Sequence, residues 1–369
     1  MSRISIKAIG FRIAYYSGLI NLLLFLNSKK VTVLAYHGLS TGDQTNGIRN
    51  HGGNHLAIAK FSKQIEYLAK HRKVVPLTDV IELLSRGQQT PPGVAAITFD
   101  DGYRSVHTLA WPVLKSWGIP ATVFIATRWI NSQEMLWFDK IEYAIEHIND
   151  HGSIDIQIDG HSLRYPISSR RERIRTCYKI KELCKSVDND IREIIVEELS
   201  KLCGNNLNIS PGDDYAPLSW NEIIELNAHP FISFGSHGDG HGILSKLSSE
   251  QAKQDILVSK SEIESHLGEP VRLFAYPNGL PGDFNEGTKR ILREAGFSCG
   301  LSTIPGMNDC GIDRYELRRV CVSNNDDLFG FLAKLSGLTA FFSRLENRLT
   351  RASRRRSLYY RVARIAVSD

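Results

Sequence analysis

Four short stretches of this chain carry residues that could do chemistry together. The first is AITFDDG at 96–102, where an apolar run ends in two adjacent carboxylates, Asp100 and Asp101. Like charges this close are unfavourable unless a cation or a proton intervenes. One of the two can turn into a pocket and bind a cation while the other stays free. The second stretch, GSHGDGH at 235–241, supplies His237 and His241. Two histidines and one carboxylate make a three-ligand divalent site with positions left open, which is the composition of a catalytic zinc centre and not of a closed structural one. The H-x-x-x-H spacing places both imidazoles on one face if the segment enters a helical turn. The third stretch, FAYPNG at 274–279, ends in Pro277-Asn278-Gly279, a turn whose backbone N–H groups can point at a developing oxyanion. The fourth, AYHG at 35–38, carries His37, a residue able to protonate a leaving group.

Each stretch follows a run that reads as a β-strand, and the elements between them alternate. VTVLAY at 31–36 is a strand. The spacing of Ile58, Phe61, Ile65 and Leu68 predicts a helix over 57–71. VVPL at 74–77 reads as a short strand, and Thr78 as the cap of a helix over 79–85. The strand 94–99 then leads to the aspartates. A helix over 106–117 and a strand over 121–126 follow. After 216 the rhythm resumes: a helix over 218–228 capped by Ser219, a strand over 231–237, a helix over 249–267, and strands over 271–277, 297–303 and 316–322, with a helix over 286–295 between the first two. Strand–helix alternation predicts a parallel α/β architecture, and such folds form their sites at the C-terminal ends of strands.

The interruption, 131–216, is richer in charge and helical in pattern, as in 171–201, and reads as a mostly helical insertion. The N-terminal 30 residues place Arg3, Lys7 and Arg12 ahead of an apolar run, Ile13 to Leu26. That run is shorter than the roughly 20 residues a spanning helix needs, so it reads as an amphipathic helix packed on the domain or lying on a membrane surface. From 341 to 366 eight arginines interleave with Tyr359, Tyr360, Val362 and Ile365, in a basic tail that begins at 336. The 369 residues, 42% hydrophobic and 23% charged, describe a globular protein with a sizeable core, and a formal charge of +5 does not by itself argue for nucleic acid. Six scattered cysteines, with no C-x-x-C pair, give no support to a zinc ribbon or a disulfide framework and fit reduced thiols. The expectation is a cytoplasmic protein, membrane-associated through 1–30 and 341–366, with the periplasm as the alternative.

Three of these stretches resemble the motifs of the polysaccharide deacetylases, the NodB-homology group also called carbohydrate esterase family 4. TFDDG at 98–102 is similar to the first motif, SHGDGH at 236–241 to the second, and FAYPNG to a variant of the third. The likeness covers 31–130 and 217–335, about three fifths of the chain. It implies a distorted (β/α)7 barrel and metal-dependent removal of an acetyl group from a sugar. It also implies Asp100 as general base, and Asp101, His237 and His241 as ligands to Zn2+ or another divalent ion, with the Asn278 backbone N–H facing the oxyanion. The chain departs from the pattern in three ways. Ala275 stands where the third motif commonly has arginine, Asn278 stands where it commonly has an aromatic, and no late Leu-x-His follows residue 300. Members that look circularly permuted use the histidine of an N-terminal Tyr-His segment as the acid, which assigns that role to His37. Arg319, in ELRRV, is the expected replacement for the arginine that orients Asp100. The implied substrate is an acetylated polysaccharide or lipid-linked glycan. The rival expectations are an amide or imide hydrolase acting on a non-sugar substrate and a non-catalytic carbohydrate-binding scaffold.

Overall fold

The computed structural model describes residues 6–42, 48–87, 89–149, 152–158, 161–204 and 214–345. Seven parallel strands form its centre: β1 (Thr32–Tyr36), β2 (Val94–Phe99), β3 (Ala121–Ile125), β4 (Ile232–Ser236), β5 (Leu273–Ala275), β6 (Cys299–Pro305) and β7 (Leu317–Cys321). Each pairs with the next, and β7 returns to β1, so the sheet closes in chain order. The closure is uneven. β4 and β5 share one register pair, Ser236 with Phe274, the register shifts between β6 and β7, and Asn308 bridges to Val31 below the short β7–β1 contact. This is the expected distorted (β/α)7 barrel.

The strands are apolar on both faces because both are covered. All six residues of β2 are buried. Leu34, Ile97 and Val123 pack in the main cluster, while their neighbours Val33, Ala96 and Phe124 pack in a second one with Ala275, Leu301 and Leu317. Alternation along a strand thus divides its side chains between the two shells.

The helices are α1 (Ile6–Tyr16), α2 (Leu19–Leu26), α3 (Ile58–His71), α4 (Leu77–Ser85), α5 (Trp111–Trp117), α6 (Thr127–Ser132), α7 (Trp137–His147), α8 (Arg170–Ser186), α9 (Asn189–Leu202), α10 (Trp220–Asn227), α11 (Ser249–Leu267), α12 (Glu286–Glu294), α13 (Leu328–Leu335) and α14 (Leu338–Leu345). Ser219 caps α10 as expected, in a reciprocal box with Glu222.

Several boundaries differ from the sequence expectation. The N-terminal arm is two helices, not one: Gly18, at φ 81°, breaks it. Thr78 is inside α4, whose N-cap is Pro76. The helix expected over 106–117 opens with a π-helical turn, Val106–Ala110. The segment 171–201 is two helices parted at Val187-Asp188. The insertion also carries an antiparallel hairpin, Ser153–Ile158 with His161–Pro166. It has a core of its own, in which Ile141, Ile145, Ile156, Ile180 and Leu199 are buried together. Of the basic tail, 346–369 lie outside the described residues. All six cysteines are free.

Candidate active site

The barrel delivers the predicted residues to one end. His37 follows β1, Asp100 and Asp101 follow β2, His237 and His241 follow β4, and Asn278 follows β5. These six line a cavity of about 220 Å³. Three of them, Asp101 (φ 75°), His241 (φ 50°) and Asn278 (φ 59°), hold the left-handed backbone conformation that non-glycine residues rarely adopt. Such strain costs of order 1–3 kcal/mol per residue and persists where the surrounding structure over-determines it.

Arg319 is fully buried on β7 and answers the question of what holds Asp100. Its Nη1 donates to Asp100 Oδ1 and its Nη2 to Asp100 Oδ2, both at 2.7 Å. Its Nε donates to the Ser302 carbonyl at 2.8 Å and its Nη1 also to Thr98 Oγ1 at 3.2 Å. The two parallel bonds fix the carboxylate plane. Burial opposes the charge on Asp100, but the guanidinium outweighs it and holds the carboxyl below its ordinary value.

Asp101 faces the other way, between the histidines. Its Oδ1 is 3.4 Å from His237 Nε2 and 3.1 Å from His241 Nε2. Burial again opposes ionisation, and the bonds to both imidazoles outweigh it and keep the carboxyl well below the usual range. His237 Nδ1 is 2.7 Å from the Ala275 carbonyl, an acceptor, so Nδ1 carries a hydrogen and the ring is oriented with Nε2 toward Asp101. One ligand atom from each of Asp101, His237 and His241 lies within 4.8 Å of the others, and Asp101 Oδ2 is buried with no hydrogen-bond partner among the described residues. An oriented imidazole, a second imidazole and an unsatisfied buried carboxylate oxygen fit a divalent cation.

The histidines do not meet by way of a helical turn, as their spacing predicted. Residues 237–243 are a loop. Gly238, at φ 77°, turns it back, and the left-handed His241 completes the approach. Asp255 of α11 clamps this loop by accepting from the N–H groups of Asp239 (3.1 Å) and Gly240 (2.8 Å). Arg128 and Thr127 hold Asp239 from the other side, at 2.8 Å each.

Asn278 is placed by its side chain, which donates to Asp283 Oδ2 at 2.6 Å, and its carbonyl accepts from Thr303 Oγ1 at 2.6 Å. Its own N–H donates to none of the described residues. His37 Nδ1 is buried and also without a partner among the described residues. Behind it His55 packs against Gly38 so closely that a Cβ there would meet its ring at 2.2 Å. His55 is wedged between the rings of Tyr103 (4.6 Å) and Tyr215 (4.4 Å), and burial pushes its pKa down to about 3. It is therefore a neutral packing wall. Tyr103, the aromatic after the paired aspartates, donates to Asp139 Oδ2 at 2.6 Å.

The sequence reading missed the wall contributed by the insertion. Trp137 and Phe138 of α7 and Lys181 and Lys185 of α8 line the same cavity. Lys181 pairs with Glu142 at 2.5 Å. Asp255 was missed as well, although it sits beside the buried positions Ala252, Ile256 and Ser259, where a charged side chain needs partners.

The polysaccharide deacetylase family profile matches residues 87–194 and 202–300, more than half of the chain. YxkH of Bacillus subtilis (strain 168), assigned by name to the polysaccharide deacetylases, is 27% identical over 134 residues, which are 36% of this chain and 45% of that protein. The match thus spans less than half of that relative's length. Among solved structures, the Streptococcus pyogenes deacetylase PplD in complex with acetate superposes with a TM-score of 0.55 at 16% identity, covering 83% of this chain and 98% of its own. IcaB from Ammonifex degensii gives 0.52 at 19% identity, covering 84% and 97%. These two share the fold. With the family profile across both halves of the barrel and the paired aspartates and histidines in one cavity, the chain belongs to the polysaccharide deacetylase family.

Proposed function

We propose that this chain is a metal-dependent hydrolase that removes an acetyl group, foremost an N-acetyl group, from a polysaccharide or lipid-linked glycan in surface polysaccharide biosynthesis. The observation that carries this reading is the two-way division of the aspartate pair. Asp100 is clamped and kept ionised by Arg319, while Asp101 turns to two histidines in the same buried cavity. Membership of the family supports it, as does the acetate found with PplD, since acetate is the product expected here.

Asp100 is the base: it takes a proton from the attacking water. The water oxygen bonds to the acetyl carbon, the carbon–nitrogen bond breaks, and His37 gives a proton to the departing amine. The free N–H of Asn278 donates to the carbonyl oxygen as charge builds there. A divalent cation held by Asp101, His237 and His241, zinc by the character of the donor set, would supply Lewis-acid stabilisation of the same charge. Arg319 is a positioning residue: it acts through Asp100, whose two carboxylate oxygens it holds.

The test is acetate release from N-acetylglucosamine oligomers and acetylated polysaccharides, with and without chelator and metal add-back. Loss of a general base typically costs about 10²–10⁴-fold, so Asp100→Asn is expected to fall by that range. No release from any acetylated sugar, by protein shown to hold its metal, overturns the reading. Normal turnover at saturating substrate in His37→Ala removes the acid assignment alone.

A further inference from the structure

The end of the molecule opposite the catalytic cavity carries a feature the reaction does not use. α1 and α2 are docked on the barrel by one side only. Ala14 and Ile20 are buried, Tyr15 meets Phe329 edge-on at 5.1 Å, and Asn27 Nδ2 donates to the Ser336 carbonyl at 3.1 Å. Their outer side is also apolar. Ile13, Tyr16, Leu22 and Phe25, with Phe341 and Phe342 of α14, all face outward, and Tyr16 and Phe25 are 77% and 75% exposed. A groove of about 720 Å³ runs between α2 and α14, lined on its polar edge by Lys30, Arg318 and Arg344 against one acid, Asp309. Contiguous apolar surface of this kind marks an interaction site.

Charge selects the occupant. Residues 1–30 contain five basic residues and no acid. Residues 346–369 contain seven arginines and two acids, which equals the chain's whole excess of +5 and leaves 1–345 balanced. Both arms adjoin the patch, one running into α1 and the other out of α14. A second copy of this chain would bring like charges together. An anionic bilayer would neutralise them while taking up the apolar side chains. No single helix is long enough to cross it: α1 and α2 have 11 and 8 residues and meet at 75°, and at 1.5 Å per residue neither reaches the roughly 30 Å of a hydrocarbon core. We infer that this face is a docking surface for an anionic membrane, with α1, α2 and α14 lying in the interfacial plane. Lys30 precedes β1 and Arg318 is the second residue of β7, so the groove lies at the strand N-terminal ends and the catalytic mouth stays open at the other end.

The test uses the full chain and does not depend on catalysis. Cosedimentation with phosphatidylcholine vesicles is compared with and without phosphatidylglycerol, at low and high salt. Binding is expected only with phosphatidylglycerol and is expected to weaken with salt. The exposed pair Phe25→Ser/Phe341→Ser should weaken it at least about tenfold while keeping the wild-type thermal melt. Arg354→Gln/Arg355→Gln/Arg356→Gln should weaken it by a similar factor at low salt. No binding by wild type, or equal binding by both variants, overturns the inference. A dimer that the phenylalanine pair abolishes, with no vesicle binding, also overturns it and gives the face to a second copy.

Discussion

Arg319 shows how much can hang on one side chain. It lies fully buried 219 positions from Asp100 in sequence and holds both carboxylate oxygens. A lysine there would keep the charge but lose the planar fork. Arg319→Lys is therefore expected to lower kcat by about 10²-fold, the cost of small misplacement of a reacting group, with KM little changed. Arg319→Met strands a buried carboxylate and should cost about 3–5 kcal/mol of stability in denaturant unfolding. If both variants lose activity and stability in parallel, Arg319 is only a structural strut. The acid–metal–base set was legible because each member sits within a few residues of an apolar run that could only be a strand. Arg319 was legible only as a replacement, from a gap in a motif. His55 and Asp255 were not legible at all: their roles come from contacts with Gly38, Tyr103 and the 238–240 loop that no local pattern announces.

Among the elements, the loop after β4 sets the metal ligands. A Cβ on Gly238 would come within 2.4 Å of Asp255 Oδ1, at a φ of 77° that side chains resist. Gly238→Ala and Asp255→Asn should each weaken metal affinity by about 10–100-fold, the usual cost of disturbing a ligand's support, in competition with a chromophoric chelator. Wild-type affinity in both would leave the loop's conformation to its other contacts. The helical turn expected from H-x-x-x-H failed here because spacing does not report backbone handedness, although the two glycines between the histidines were a visible warning. The hairpin missed in the insertion had a signal too: Ile154, Ile156 and Ile158 alternate, and Asp159-Gly160 follows. Another element is pinned electrostatically. Lys289 of α12 is buried against Asp313 (2.9 Å), Glu316 (2.6 Å) and Glu286 (3.1 Å). Burial disfavours its charge, but the three carboxylates outweigh this and raise its pKa, while Lys289 and the Tyr315 N–H lower that of Asp313 against burial. A depressed carboxyl stabilises above its unfolded value and loses that share as pH falls through the folded one. A raised lysine keeps its share until pH rises through its folded value. The carboxylates are partly exposed, so Lys289→Met should cost only about 1 kcal/mol at pH 7. The deficit should shrink as the pH drops below about 4. A deficit unchanged at pH 3 would make the loss one of packing.

At the scale of the molecule, closure of the barrel does what no single element does. The ligand loops follow β2 and β4, which β3 separates, so Asp101 reaches His237 and His241 only because three consecutive strands run parallel and in register. The parallel α/β architecture was legible from alternation, since short helical crossovers favour neighbours in sequence as neighbours in space, but alternation alone left a barrel and a doubly wound sheet both open. The insertion's place over the site was not, because nothing in residues 131–216 reports which face they cover. A cation at this site would tie together segments 136 and more positions apart in sequence, and would bind the folded chain alone. Metal binding should therefore appear as whole-molecule stability. At free zinc a hundredfold above its dissociation constant the gain is about 2.7 kcal/mol, and chelation should remove it and lower the midpoint of thermal unfolding. Asp101→Asn withdraws the only carboxylate of the set, so its unfolding should respond little to zinc or chelator. Arg319→Met leaves all three ligands in place and should keep the zinc-dependent increment even though its baseline is lower. If zinc raised the stability of wild type and Asp101→Asn equally, the cation would be binding elsewhere, and the division of labour between the paired aspartates would have to be redrawn.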